Sequence, residues 1–281
     1  MSWQRWHFFG GCTGKMTGTP SKTIVFITGA FLGNNCWAEW KSFFEGKGYR
    51  TLAPAWPYKG AAPEELRNRQ PDAAIALTRL ADVTEYFAII ISSLPEAPIL
   101  IGHSLGGLIV QLLLQRGLGV AGVAIHSFPA QRVRAFTFSF IKEWWGAMGF
   151  FTPVRESYLM PFWNWKHAIA GGLSCEQQKE MYYAYAIPES KLLIRDAFKW
   201  GKKIDFKRPH APLLLTSGSH DRMIPAALNY ANFKEYRGGD PITEYKEFKG
   251  HNHLVFGQSV WREEADYILY WLHGLENSEI S

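Results

Sequence analysis

Four short, nearly continuous apolar runs punctuate the chain: TIVFITG at 23–29, PILIG at 98–102, GVAIHSF at 122–128 and PLLLTSG at 212–218. Runs of this length ending in Gly or Ser predict strands buried on both faces of a parallel sheet. A fifth strand is predicted for TEYKEF at 243–248. Between the strands the period changes to that of amphipathic helices, at 36–46, 77–94, 105–116, near 226–237 and at 261–273. This alternation predicts an α/β fold, a mostly parallel sheet with helices on both faces, and such sheets carry their sites at the carboxyl ends of the strands. It breaks between about Gln131 and Asp205, where the chain turns helical and aromatic before the strand pattern resumes at Pro212. We expect 1–130 and 205–281 to form the core, and 131–204 to form a helical cap inserted over the site face, because long insertions at strand ends are usually functional. Residues 1–20 have no clear period and predict only a short strand around Arg5 to Phe9.

The most specific feature is Gly102-His103-Ser104-Leu105-Gly106, a G-x-S-x-G sequence between a buried strand and an apolar helix. A serine on a sharp strand-to-helix turn adopts strained backbone angles and needs small neighbours. Glycine is about 0.8–1 kcal/mol worse than Ala in a helix, so Gly106 and Gly107 in a first turn point to close approach rather than to helix formation. The free N–H groups of a helix start also face a negative oxygen developing beside Ser104, and Leu105 N–H is one such donor. His103 is expected to point away from the serine and to pack.

On these residues the chain resembles an α/β-hydrolase with a helical cap over roughly residues 21 to 281. The resemblance implies the α/β-hydrolase fold and a second backbone donor in the loop after an earlier strand. That donor would be Ala30, in Thr28-Gly29-Ala30, with Thr28 where the family usually has His. It also implies the order serine, acid, histidine. Serine at its free pKa needs an adjacent base, itself oriented by a carboxylate. After Ser104, Asp221 follows a buried strand by a short polar turn and precedes Pro225, as the family acid does; a helix cap or an Arg222 partner is the structural alternative. Asp240, in RGGDP, is a weaker candidate. Downstream of Asp221 stand His251, His253 and His273. His273 lies in a helical pattern and reads as packing or a helix-end charge. The family's G-x-x-H selects His253 in Gly250-His251-Asn252-His253, leaving His251 as a solvated turn residue or a support for Asn252, and as the stated alternative base.

Composition narrows the partners. The formal charge of +5 over 281 residues is scattered, which gives no footprint for nucleic acid. No stretch approaches the ~20 apolar residues of a membrane span, and the N-terminus lacks a secretory apolar run, so a soluble cytoplasmic protein is expected. Cys12, Cys36 and Cys175 offer neither a disulfide framework nor a metal knuckle. GGCTGK fails the phosphate-loop pattern at Phe9 and Met16. The expected chemistry is hydrolysis of a carboxylic ester, thioester or lactone through an acyl-enzyme on Ser104, with no cofactor and no metal. A serine at the elbow argues against the branches of the family with a carboxylate nucleophile. The cap's rings suit a small apolar or aromatic substrate, with Phe31, His126, Trp144, Trp145 and Trp163 as candidate pocket residues, though a core role serves His126 equally well. A hydroxynitrile-lyase-like reaction and a receptor-like binding role are the alternatives, and a homodimer is left open.

Overall fold

The computed structural model describes residues 21–130, 138–200, 204–236 and 243–278. The strand expected at Arg5 to Phe9, Cys12 and Asp240 lie outside these. Among the described residues a single sheet runs β2-β1-β3-β4-β5-β6, with every pair parallel. Its strands are β1 (Thr23–Ile27), β2 (Arg50–Leu52), β3 (Ile99–His103), β4 (Ala121–Ile125), β5 (Leu213–Gly218) and β6 (Thr243–Phe248). β1, β3, β4 and β5 are buried at every position, as continuous apolar runs require. β6 is an edge strand, buried fully only at Phe248.

Helices flank the sheet. α1 (Ala38–Glu45) and α11 (Trp261–Ser278) meet through Trp40, Phe43 and Trp261, with ring centroids 5.8 and 6.0 Å apart. α5 (Leu105–Leu114) is buried along its whole length, consistent with its apolar sequence all round. α4 (Leu80–Ser92) packs beside it, and α10 (Ala226–Tyr236) covers β5 and β6. Two short helices, α2 (Pro63–Asn68) and α3 (Ala73–Leu77), fill the chain between β2 and α4.

An inserted helical region joins β4 to β5: α6 (Phe138–Met148), α7 (Phe162–Ala168), α8 (Cys175–Tyr185) and α9 (Lys191–Trp200). It is stitched to the loop after β1. Leu32 and Ala186 form an antiparallel bridge, Ile187 N–H donates to Phe31 C=O at 2.9 Å, and Gly33 N–H donates to Tyr185 C=O at 2.8 Å. Chain order reverses between β1 and β3, so the loops leaving their carboxyl ends diverge and open a crevice there. Ser104 and the Gly29-Ala30 turn both stand at that crevice.

Candidate active site

Ser104 is the single residue between β3 and α5, and it adopts φ 55°, ψ −118°. A non-glycine residue held at positive φ is strained and persists only where its surroundings over-determine it. Here Ser104 N–H donates to Ile125 C=O at 2.8 Å, while Phe128 and Gly107 N–H donate to Ser104 C=O at 2.9 and 3.0 Å. The glycines supply room. A Cβ on Gly102 would meet Val110 Cγ2 at 2.7 Å, one on Gly29 would meet Ser104 Cβ at 2.8 Å, and one on Gly106 would meet Thr28 C=O at 2.7 Å. The β1 loop is thereby drawn against the turn that carries the serine.

Three loops from three strand ends converge on Ser104. His253 Nε2 lies 3.0 Å from Ser104 Oγ, and His253 Nδ1 lies 2.7 Å from Asp221 Oδ2. Asp221 Oδ1 accepts from Ile224 N–H at 2.7 Å, which fixes the carboxylate's plane. All three side chains are buried. Burial works to raise the Asp221 pKa, but His253 and His126 outweigh it and hold the carboxyl at about 2, so it stays ionised. His103 packs as expected and has a further role: its Nε2 donates to His253 C=O at 2.8 Å. Burial first, then the charges on His253 and His126, push its pKa well below the ordinary histidine value, so it serves as a neutral donor.

Ala30 and Leu105 N–H have no hydrogen-bond acceptor among the described residues. Leu105 is the first residue of α5, whose leading N–H groups have no partner within the helix. Thr28, which stands where the resembling family has His, accepts from Trp37 Nε1 at 3.0 Å and anchors the loop to a buried tryptophan. Phe31 has φ 67° and directs its N–H to Glu189 Oε2 at 3.4 Å.

The candidate pocket residues separate. Phe31 and Trp144 are fully buried neighbours, 6.0 Å apart by ring centroid, and Trp144 also packs edge-on against Phe128 at 5.1 Å. Trp144 Nε1 donates to Met223 C=O, tying the inserted region to the loop of Asp221. Trp145 and Trp163 are not gathered there. Adjacent helical residues point about 100° apart, so Trp145 faces outward against Phe150 while Trp144 faces in. Trp163, 66% exposed, likewise stacks on His167, and Trp165 takes the buried side of the same helix. His126 is fully buried 3.3 Å from Asp221 Oδ2, a core position behind the acid rather than one on a pocket wall.

His251 corrects an expectation. It is 1% exposed, not solvated; its ring stacks on Phe248 and its Nε2 faces Glu263 at 3.2 Å. Sequence reasoning also missed Glu264, a fully buried acid facing both His126 and His251. A signal existed: Glu264 lies four residues before Ile268, on the stripe that buries Ala265, Ile268 and Leu272. His126, Asp221 and His253 each offer one atom to a shared point, but Asp221 Oδ2 is already within hydrogen-bond distance of a nitrogen of each ring.

Residues 24–265 match the model of the alpha/beta hydrolase family. No curated protein matches the sequence. Among solved structures, the chain is similar to a monoacylglycerol lipase from Paleococcus ferrophilus, with 21% identity and a TM-score of 0.64 over 91% of this chain and 95% of that one. It is also similar to polyneuridine aldehyde esterase, at 19% identity and a TM-score of 0.62 over 89% and 98% of the two chains. A methylesterase from Arabidopsis shows 16% identity and a TM-score of 0.62 over 89% and 98%. At these identities the likeness is one of fold.

Proposed function

Because the chain belongs to the alpha/beta hydrolase family, we propose that it is a serine hydrolase cleaving a carboxylic ester, or a related thioester or lactone, of a small apolar or aromatic substrate. The observation that carries this reading is the hydrogen-bonded series Ser104 Oγ, His253, Asp221 at 3.0 and 2.7 Å, together with the Ala30 and Leu105 N–H groups, which have no acceptor among the described residues. His253 Nε2 takes the Ser104 proton as Oγ attacks the carbonyl carbon. The resulting oxyanion is stabilised by Ala30 and Leu105 N–H, preorganised and therefore most effective where charge develops. His253 then protonates the departing alcohol as the C–O bond breaks, and Asp221 stabilises the imidazolium without accepting its proton. Water, deprotonated by His253, attacks the acyl-enzyme, and Ser104 recovers its proton as the acid leaves. The buried rings of Phe31, Phe128 and Trp144 support an apolar or aromatic group in the bound ester.

The test is turnover of p-nitrophenyl esters across acyl chain lengths by wild type and Ser104→Ala. A burst of acyl-enzyme in wild type, lost in the variant, is expected. Full activity in Ser104→Ala overturns the nucleophile, release of aldehyde instead of acid from a cyanohydrin points to a lyase, and tight binding without turnover points to a receptor-like role.

A further inference from the structure

Behind Asp221 lies a second buried row of titratable groups that the reaction above does not use. His126 follows the end of β4 and is fully buried, with φ 45°. Its Nδ1 is 3.3 Å from Asp221 Oδ2, and its Nε2 is 3.7 Å from Glu264 Oε2. Glu264 comes from α11, and neither of its oxygens receives a hydrogen bond among the described residues. From the loop after β6, His251 Nδ1 faces the same Glu264 oxygen at 3.6 Å, while His253 stands with its ring centroid 6.3 Å from that of His126. Exposed Glu263 meets His251 from the far side. From the end of β3, neutral His103 lies 6.4 Å away by ring centroid. Room for the arrangement is supplied by Gly218, where a Cβ would meet His126 Cε1 at 2.8 Å.

An ionised carboxylate only accepts hydrogen bonds, and a neutral imidazole has a single N–H. His126 turns one nitrogen to each of two buried acids, so its neutral form would set a lone pair against one of them. Neither ring nitrogen makes a well-aligned hydrogen bond among the described residues, so the contribution is one of charge: the cation is attracted to both acids. It also gives Asp221 and Glu264 a common counter-ion, which two buried acids in one cluster require. We propose that His126 and Glu264 are positioning residues: Glu264 anchors an imidazolium at position 126, which braces Asp221 Oδ2 toward His253 and offsets part of the negative charge that His253 feels. This inference rests on the reading of Ser104, His253 and Asp221 as the reacting set.

Two consequences have definite signs. Burial presses the His126 pKa down, but Glu264 and Asp221 together outweigh it and raise it above the ordinary value. A raised histidine adds stability that is fully present below about 6.5 and is lost as pH rises through its folded-state value. Removing the cation leaves the buried acids uncompensated beside the residues that react, so the acid limb of kcat/KM moves to higher pH.

The experiment uses the full chain labelled with [15N]histidine, as wild type, Glu264→Gln and His126→Gln. In wild type, both His126 nitrogens are expected to carry protons at pH 6–7. Glu264→Gln should lower the proton affinity of His126 by about tenfold or more, and His126→Gln should raise the acid limb by about 0.5–1 pH unit with KM unchanged. A neutral, single-tautomer His126 in wild type, an unmoved titration in Glu264→Gln, or an unmoved acid limb in a folded His126→Gln each overturns the proposal. If His126→Gln does not fold, the imidazole resonances of wild type and Glu264→Gln decide it. Full activity of Ser104→Ala would remove the hydrolase reading while leaving the charge state of His126 decided, so the two failures are distinguishable.

Discussion

Gly106→Ala should damage both stability and turnover, although alanine is the better helix former. In α5 the substitution adds one methyl group, and propensity alone would favour it by about 0.8–1 kcal/mol. The added Cβ, however, would overlap the Ile27 carbonyl oxygen and approach the Thr28 oxygen to 2.7 Å and the Ile27 carbonyl carbon to 2.8 Å. Those atoms are backbone at the carboxyl end of a central strand and cannot rotate aside. Overpacking of this kind typically destabilises by 1–3 kcal/mol, and a clash with backbone belongs at or above the upper end. After the propensity gain, a net loss of about 2 kcal/mol is expected, a fall of several degrees in Tm for a chain of this size. Relief requires α5 to move away from the β1 loop, which separates Ser104 and Leu105 N–H from Ala30 N–H. A misplacement of about 1 Å can reduce turnover by 10²-fold. Gly274→Ala supplies the opposite sign. It lies in α11 with nothing within 4 Å of the added Cβ, so it should be stabilising by up to about 1 kcal/mol. Denaturant unfolding and ester hydrolysis measured on both variants decide the matter. If Gly106→Ala is as stable and active as wild type, or gains stability as Gly274→Ala does, the close approach of α5 to the β1 loop is wrong.

The two histidines of the KGHNH turn should differ sharply. His253→Ala is expected to lose on the order of 10³-fold or more in kcat, and His251→Ala far less, its deficit appearing mainly in denaturant unfolding; the reverse ranking in steady-state kinetics would reassign the base. Asp221, held at about 2 against an ordinary 3.8, binds its proton less readily folded than unfolded. It therefore contributes roughly 2–3 kcal/mol that is present above about pH 4 and lost as pH falls through about 2, so Asp221→Asn should flatten the acid limb of a stability–pH curve. Lys59 and Glu189 form a buried ion pair at 2.5 Å beside the Phe31 loop. Lys59→Met leaves Glu189 unpaired and should destabilise by about 3–5 kcal/mol, with part of the loss recovered by adding Glu189→Gln. A loss under about 1 kcal/mol in denaturant unfolding would count against that pairing.

What the sequence revealed divides by the range of the interaction involved. β1, β3, β4 and β5 were legible because burial on both faces leaves a continuous apolar run, whereas β2 was missed because Arg50–Leu52 is a three-residue edge strand whose first residue is exposed. The turn at Ser104 was legible because the G-x-S-x-G spacing is itself a local pattern, although only Gly102 is demanded by contacts within that strand, turn and helix; Gly106 is demanded by the Ile27 and Thr28 backbone of the β1 loop. Sidedness was harder. An aromatic-rich helix proclaims its rings but not which one faces in, so Trp144 and Trp145 looked alike until the packing of α6 against Phe31 and Phe128 separated them. The row Asp221, His126, Glu264, His251 was beyond any local pattern. Its members come from the ends of β4, β5 and β6 and from α11, and their meeting depends on strand order, since β5 lies between β4 and β6 and brings Asp221 within reach of both neighbours. A buried histidine at a strand end reads as packing when only its own neighbours in the chain are considered. Its charge is set by acids 95 and 138 residues further along, which is why the sequence pointed to Ser104, Asp221 and His253, which the fold brings together, and stayed silent on the row behind Asp221.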